Sequence, residues 1–97
     1  MPVEHMVWMK FKPGVDAARI KQHLDNLAAL PEHVPAISAM RLGQNFTDRA
    51  NGYTHGFIVT VETREDLPRY LQHPHHVTVA TPLKADADLL AMDIEAP

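Results

Sequence analysis

No cysteine occurs in the chain, which excludes a disulfide framework, a thiolate metal site and a cysteine nucleophile together. Glycine is scarce too: there are four, and none belongs to a loop that could cradle a phosphate. The few serines and threonines stand in no nucleophile-elbow motif, so an acyl-enzyme triad has no candidate. Nor is there a basic excess. Nine Lys and Arg against twelve Asp and Glu leave a formal net charge of −3, and so no field to attract nucleic acid. No apolar run approaches bilayer-spanning length, so no membrane partner is expected. Glu4, His5, Lys10 and Lys12 interrupt the stretch where a secretory core would lie, and the cytoplasm is the expected compartment. What remains is a single domain over residues 1–97, whose modest core would gain from burial by a second subunit.

Against these absences stands an abundance of histidine: seven in 97 residues, three of them within Tyr70-Leu71-Gln72-His73-Pro74-His75-His76. Imidazole titrates near neutral pH and can act as acid, base or metal ligand. Tyr70, upstream of the cluster, adds a phenol that can donate or accept a proton. His5 and His55 sit inside runs that read as strands.

Alternation from Val3 to Phe11 puts Val3, His5, Val7, Met9 and Phe11 on one face of a first strand. The other face carries Met6 and Trp8, so both faces call for cover. Asp16 is a suitable N-cap for a helix with Ile20, Leu24, Leu27 and Ala28 at helical spacing, ended by Leu30-Pro31; His23 borders that stripe. Glu32 to Ala36 reads as a connector. Ile37 to Phe46 predicts a second strand, and Asn51-Gly52 predicts a hairpin turn into a third, Tyr53 to Glu62. Thr63-Arg64-Glu65-Asp66 has capping-box form, although Pro68 favours a helix start nearer Asp66. Val77 to Asp86 reads equally as short helix or loop. Leu89 to Glu95 predicts a last strand with Leu90, Met92 and Ile94 facing inward. The order β-α-β-β-α-β is that of a ferredoxin-like α+β fold: a four-stranded antiparallel sheet with helices on one face. Met6, Trp8 and Ile58 on the other face predict a homodimer.

Taken together, several stretches resemble the stress-responsive A/B barrel (Dabb) domain family of dimeric α/β barrels. They are His5-Met6-Val7-Trp8-Met9-Lys10-Phe11-Lys12, Gly43-Gln44-Asn45, Gly52-Tyr53-Thr54-His55-Gly56, Tyr70 through Val77, and Asp93-Ile94-Glu95. The resemblance spans nearly the whole chain and implies a homodimer in which two sheets close into a barrel. A plant branch of that family forms olivetolic acid by polyketide cyclisation. Similarity to it implies an acid–base pair at Tyr70 and His76, with pocket histidines at His5 and His55. His23, Leu24 and Leu27 stand where that branch carries a tyrosine and bulky aromatics, which points away from its long-tailed substrate.

Each candidate also has a purely structural reading. His5 reads equally as a buried histidine satisfied by a carbonyl. Antiparallel pairing of strands one and three would set His55 far from His5 along their shared face. Tyr70 could be core packing with its hydroxyl at water, His73 a turn residue before Pro74, and His75 a surface residue. The spacing of His73, His75 and His76 is too tight for the usual helical metal pair, so no metal is assigned, although imidazole suits Zn, Ni and Cu. Two function classes follow. One is a cofactor-independent lyase, cyclase or isomerase, or a simple binder, taking a small carbonyl or aromatic ligand. Its pocket would be lined by His5, Val7, Met9, His23, Leu24, Leu27, His55, Phe57, Val59, Leu90 and Met92, with Tyr70 and His76 as the reacting pair. The other is a non-enzymatic stress-response protein whose product is the homo-oligomer itself.

Overall fold

A computed structural model describes residues 1–95 of the chain. Four strands form one antiparallel sheet in the order β2-β3-β1-β4: β1 (Val3–Phe11), β2 (Ala39–Gln44), β3 (His55–Val61) and β4 (Ala87–Glu95). Helices α1 (Ala17–Ala28), α2 (Leu30–His33), α3 (Asp66–Leu71) and α4 (Pro74–Asp86) complete the β-α-β-β-α-β plan. The ferredoxin-like expectation is met. Val3, His5, Val7 and Met9 of β1 are buried with Val59, Val61 and Phe57 of β3 and with Leu27, Leu30, Tyr70, Val79 and Leu83 of the helices.

Local chemistry explains the boundaries. The Asp16 carboxylate accepts from the Arg19 amide at 2.8 Å and caps α1. Pro31 does not merely end that helix: it occupies the first turn of the short α2, where a missing N–H costs nothing. Asn51 and Gly52 adopt φ of 57° and 89°, and Tyr53 N–H bonds to Ala50 C=O at 3.0 Å, a turn with both central residues left-handed. Helix α3 starts at Asp66. Its capping box does not close as expected, because the Thr63 hydroxyl donates to the Asp66 carboxylate instead. The stretch left open between helix and loop is helical throughout 74–86, with Pro82 inside it. His73 begins that helix: its Nδ1 accepts from the His75 amide at 3.1 Å, and Pro74 takes the first helical position.

The last strand corrects the sequence reading. Leu90, Met92 and Ile94 do not face inward: β1 and β4 pair Trp8 with Leu90, Met6 with Met92 and His5 with Asp93, so the helix-side residues are Ala87, Leu89, Ala91 and Asp93. Directly opposed residues share a face, and a one-residue slip inverts the whole strand. Ala87 is buried at the point where the chain leaves α4, and that fixes the parity. As a result Trp8, Ile58, Leu90, Met92 and Ile94 are 50%, 36%, 49%, 62% and 41% exposed on a sheet face that none of the helices α1 to α4 covers. Among the described residues no helix is long and apolar enough to cross a membrane.

Candidate active site

Between the sheet and helices α1 and α4 lies a cavity of about 330 Å³. Val7, Leu27, Phe57, Leu71, Val79, Ala80, Leu83, Leu89 and Ala91 make its wall largely apolar, and four polar residues reach it: His5, His76, Lys84 and Asp93. A few polar groups converging in an apolar cleft are what a small-ligand site requires. The uncovered sheet face carries a more open depression near Met6, Trp8 and Ile58, whose lining includes no histidine or carboxylate.

β1 delivers His5 to the cavity, and its placement opposite Asp93 supplies the partner. His5 Nδ1 lies 2.5 Å from Asp93 Oδ1. A carboxylate only accepts, so Nδ1 carries the shared proton, and Nε2 makes no bond among the described residues. His5 is therefore neither a plain core histidine nor bound to a backbone carbonyl. α4 delivers His76 from its first turn. Its Nδ1–H donates to the Leu71 carbonyl at 2.9 Å, which leaves Nε2 as the free acceptor. Burial lowers the His76 pKa below its ordinary value; the Leu71 bond opposes this, and the nearby His5, Lys84 and His73 add to the lowering.

α3 places Tyr70 against both imidazoles, with ring centroids 4.6 Å from His76 and 5.7 Å from His5. The residue is fully buried and does not itself line the cavity. Its hydroxyl has no hydrogen-bond partner among the described residues, and burial raises its pKa well above 10.0, so it stays protonated. The expectation of a water-bonded phenol is not met. Removing an unpartnered buried hydroxyl relieves a desolvation cost of about 1–3 kcal/mol at most. Tyr70→Phe is thus expected to unfold at the same temperature as the wild type or a few degrees higher, as read by calorimetry. A fall of more than a few degrees would show that the hydroxyl has a partner.

The structure brings together His5, Val7, Leu27, Phe57 and His76 of the residues singled out from sequence, with Tyr70 behind the two histidines. The others lie elsewhere. Met9 and Val59 are fully buried in the core away from the cavity surface, and Leu24 packs against that core. Leu90 and Met92 do not line the pocket; they lie on the opposite sheet face, for the register reason given above. His55 pairs with Met9 while His5 pairs with Val59, which separates the two histidines by about 13 Å of strand. His55 instead contacts the Phe11 ring at 5.5 Å, and burial lowers its pKa. His23 is buried at that same far end, where it bonds Asp86 at 2.6 Å beside the Arg19–Asp86 ion pair. The His23 and Arg19 bonds hold the Asp86 carboxyl below its ordinary value.

The rest of the histidine cluster faces away from the cavity. His75 stacks on His33 of α2 with centroids 3.9 Å apart, and His73 caps α4. Among the described residues no group of three or more His, Cys, Asp or Glu side chains could hold a metal ion. Asp93 and Lys84 were missed from sequence. Asp93 becomes visible only once β4 is registered on β1, and Lys84 only once 74–86 is known to be one helix.

Residues 3–96 match the Stress responsive A/B Barrel Domain (Dabb) family. Olivetolic acid cyclase of Cannabis sativa is 32% identical over 79 residues, covering 79% of this chain and 78% of that enzyme. The crystal structure of At3g17210 from Arabidopsis thaliana superposes with a TM-score of 0.88 at 30% identity, covering 98% of this chain and 95% of that one. A dimeric ferredoxin-like protein of unknown function from Jannaschia sp. CCS1 superposes with a TM-score of 0.85 at 24% identity, covering 99% and 100% of the two chains; that likeness is one of fold. A match over nearly the whole chain and a cyclase relative above 30% identity lead to one statement: the protein belongs to the stress-responsive A/B barrel domain family.

Proposed function

We propose that the protein binds a small carbonyl compound in the cavity between sheet and helices and moves a proton at the carbon α to that carbonyl. The observation that carries this reading is the convergence of His5 and His76, each with Nε2 free, on one largely apolar cavity with Tyr70 packed against both. His76 is the base. Its Nε2 takes the α-proton, the C–H electron pair forms the enolate C=C bond, and the carbonyl π pair moves to oxygen. Tyr70 is the acid partner: it stays protonated, and a shift of the packed His76 ring on ligand entry would bring its buried hydroxyl to the cavity wall, where it donates a hydrogen bond to the enolate oxygen. His5, oriented by Asp93, is the third polar group at that end. The enolate carbon can then attack a second carbonyl of the ligand, an aldol-type cyclisation, or be reprotonated elsewhere, an isomerisation. Neither step calls for a metal or cofactor. The cyclase relative supports the assignment of this chemistry.

The test is exchange of α-protons for deuterium. With 4-oxo-4-phenylbutanoate in D₂O at neutral pH, proton NMR is expected to show loss of the signal from the CH₂ beside the ketone at a rate proportional to protein concentration. Exchange no faster than in buffer, with no saturable binding, would overturn the reading in favour of a non-enzymatic oligomer.

That oligomer belongs to the proposal in either case. The apolar sheet face bearing Trp8, Ile58, Leu90 and Met92 is the interface of a homodimer, in which two sheets close face to face. The relative from Jannaschia described as dimeric shares the fold. A cytoplasmic protein is the reading consistent with the cysteine-free sequence.

A further inference from the structure

Helix α4 presents His76, Val79, Ala80, Leu83 and Lys84 to the cavity, the i, i+3, i+4, i+7, i+8 spacing of one helix face. His76 stands in the first turn and Lys84 in the last, about 12 Å apart along the axis. The residues between them are apolar. The cavity therefore carries an imidazole toward one end of the helix and an ammonium toward the other. Side chains on a helix tilt toward its N-terminus, which swings the Lys84 stem back along the cavity. The charge is felt at His76, where it adds to the effect of burial.

The Lys84 ammonium has no ion-pair or hydrogen-bond partner among the described residues, whereas Arg19, Arg64 and Arg69 each hold a carboxylate. Asp93, the one carboxylate on the cavity wall among the described residues, is bonded to His5. Lys84 is exposed, so its ammonium stands in water at the cavity rim, free to receive a ligand's charge.

We propose that Lys84 sets the ligand class: the cavity takes a carbonyl compound that also bears a carboxylate, with the carboxylate at Lys84 and the ketone at His76 and His5. This rests on the reading of the cavity as a carbonyl-ligand site. It adds a specificity residue that does no chemistry itself. A ligand without a negative charge leaves the exposed ammonium to water, and one with a carboxylate makes a charge-assisted hydrogen bond.

The test compares 4-oxo-4-phenylbutanoate with its neutral isostere, 4-oxo-4-phenylbutanamide, by calorimetric titration at low salt. The wild type is expected to bind the carboxylate about three- to fivefold tighter than the amide, the size of an ion pair with a solvent-exposed ammonium at low salt. Lys84→Met keeps the apolar stem and is expected to erase that preference by weakening the carboxylate alone, with the amide affinity held within about twofold. Lys84→Arg is expected to restore the preference. Equal binding of acid and amide by the wild type, or a preference that survives in Lys84→Met, overturns the Lys84 assignment while the carbonyl-site reading stands. Binding of neither compound overturns both.

Discussion

Trp8→Asp is expected to convert the protein from dimer to monomer at micromolar concentration, measured by size-exclusion chromatography with light scattering. Trp8 lies near the middle of the uncovered face, beside Leu90 of β4 and opposite Gly56 of β3, and half its surface is open in the isolated protomer. Covering the exposed half of a tryptophan removes roughly 100 Å² from water, about 2–3 kcal/mol at the usual area coefficient. A two-fold interface uses the same patch twice, so both copies are lost together. The aspartate adds a further penalty, because a carboxylate without a partner would have to be desolvated there. About 4 kcal/mol or more in total corresponds to weakening of about a thousandfold. The protomer should stay folded, since the indole belongs to no part of its core cluster, and circular dichroism would show this. An unchanged dimer in Trp8→Asp, or a wild type that runs as a monomer, would remove the interface from this face.

That patch also marks where the sequence was legible and where it was not. Alternation in β1 gave both of its faces correctly, because Val3, His5, Val7 and Met9 are large and periodic and Met6 and Trp8 are conspicuous on the other side. Asp16 and Asn51-Gly52 were legible because cap and turn chemistry is local. β4 was misread because its larger residues face outward. Leu90, Met92 and Ile94 suit an interface, while Ala87 and Ala91 line the inside, and size alone assigns such a strand backwards. α4 is ambiguous in the sequence for a different reason. Pro82 removes a helical donor within a segment whose apolar residues include the exposed Val77 as well as the buried Val79, Ala80 and Leu83, so neither periodicity nor breaker rules decide it. The candidate site inherits both gaps. Tyr70, His76 and His5 were reachable from residue type and resemblance, but Asp93 needs the β4 register and Lys84 needs the α4 face.

His76→Ala is expected to slow α-proton exchange by about a hundredfold or more, the ordinary worth of a positioned general base. The pH dependence separates this from a packing effect. Burial and the surrounding positive groups lower the His76 pKa below 6.5, so the imidazole is neutral and competent at pH 7. In the wild type the exchange rate constant should be flat through neutrality and fall only as pH drops through that lowered value. Tyr70 titrates above 10.0, so no alkaline limb should appear below that point. Tyr70→Phe is expected to lose less rate than His76→Ala and to keep the acid limb, because the base is untouched and only a hydrogen-bond donor is gone. His76→Ala should lose the acid limb along with the rate, since the residual reaction has no imidazole to protonate at that position. Proton NMR of the imidazole signals gives an independent reading of the same pKa, and the kinetic and spectroscopic midpoints must coincide. Wild-type exchange rates in His76→Ala, or an acid limb centred above 6.5, would move the base to His5. That residue reaches the same cavity and also keeps Nε2 free of any bond among the described residues.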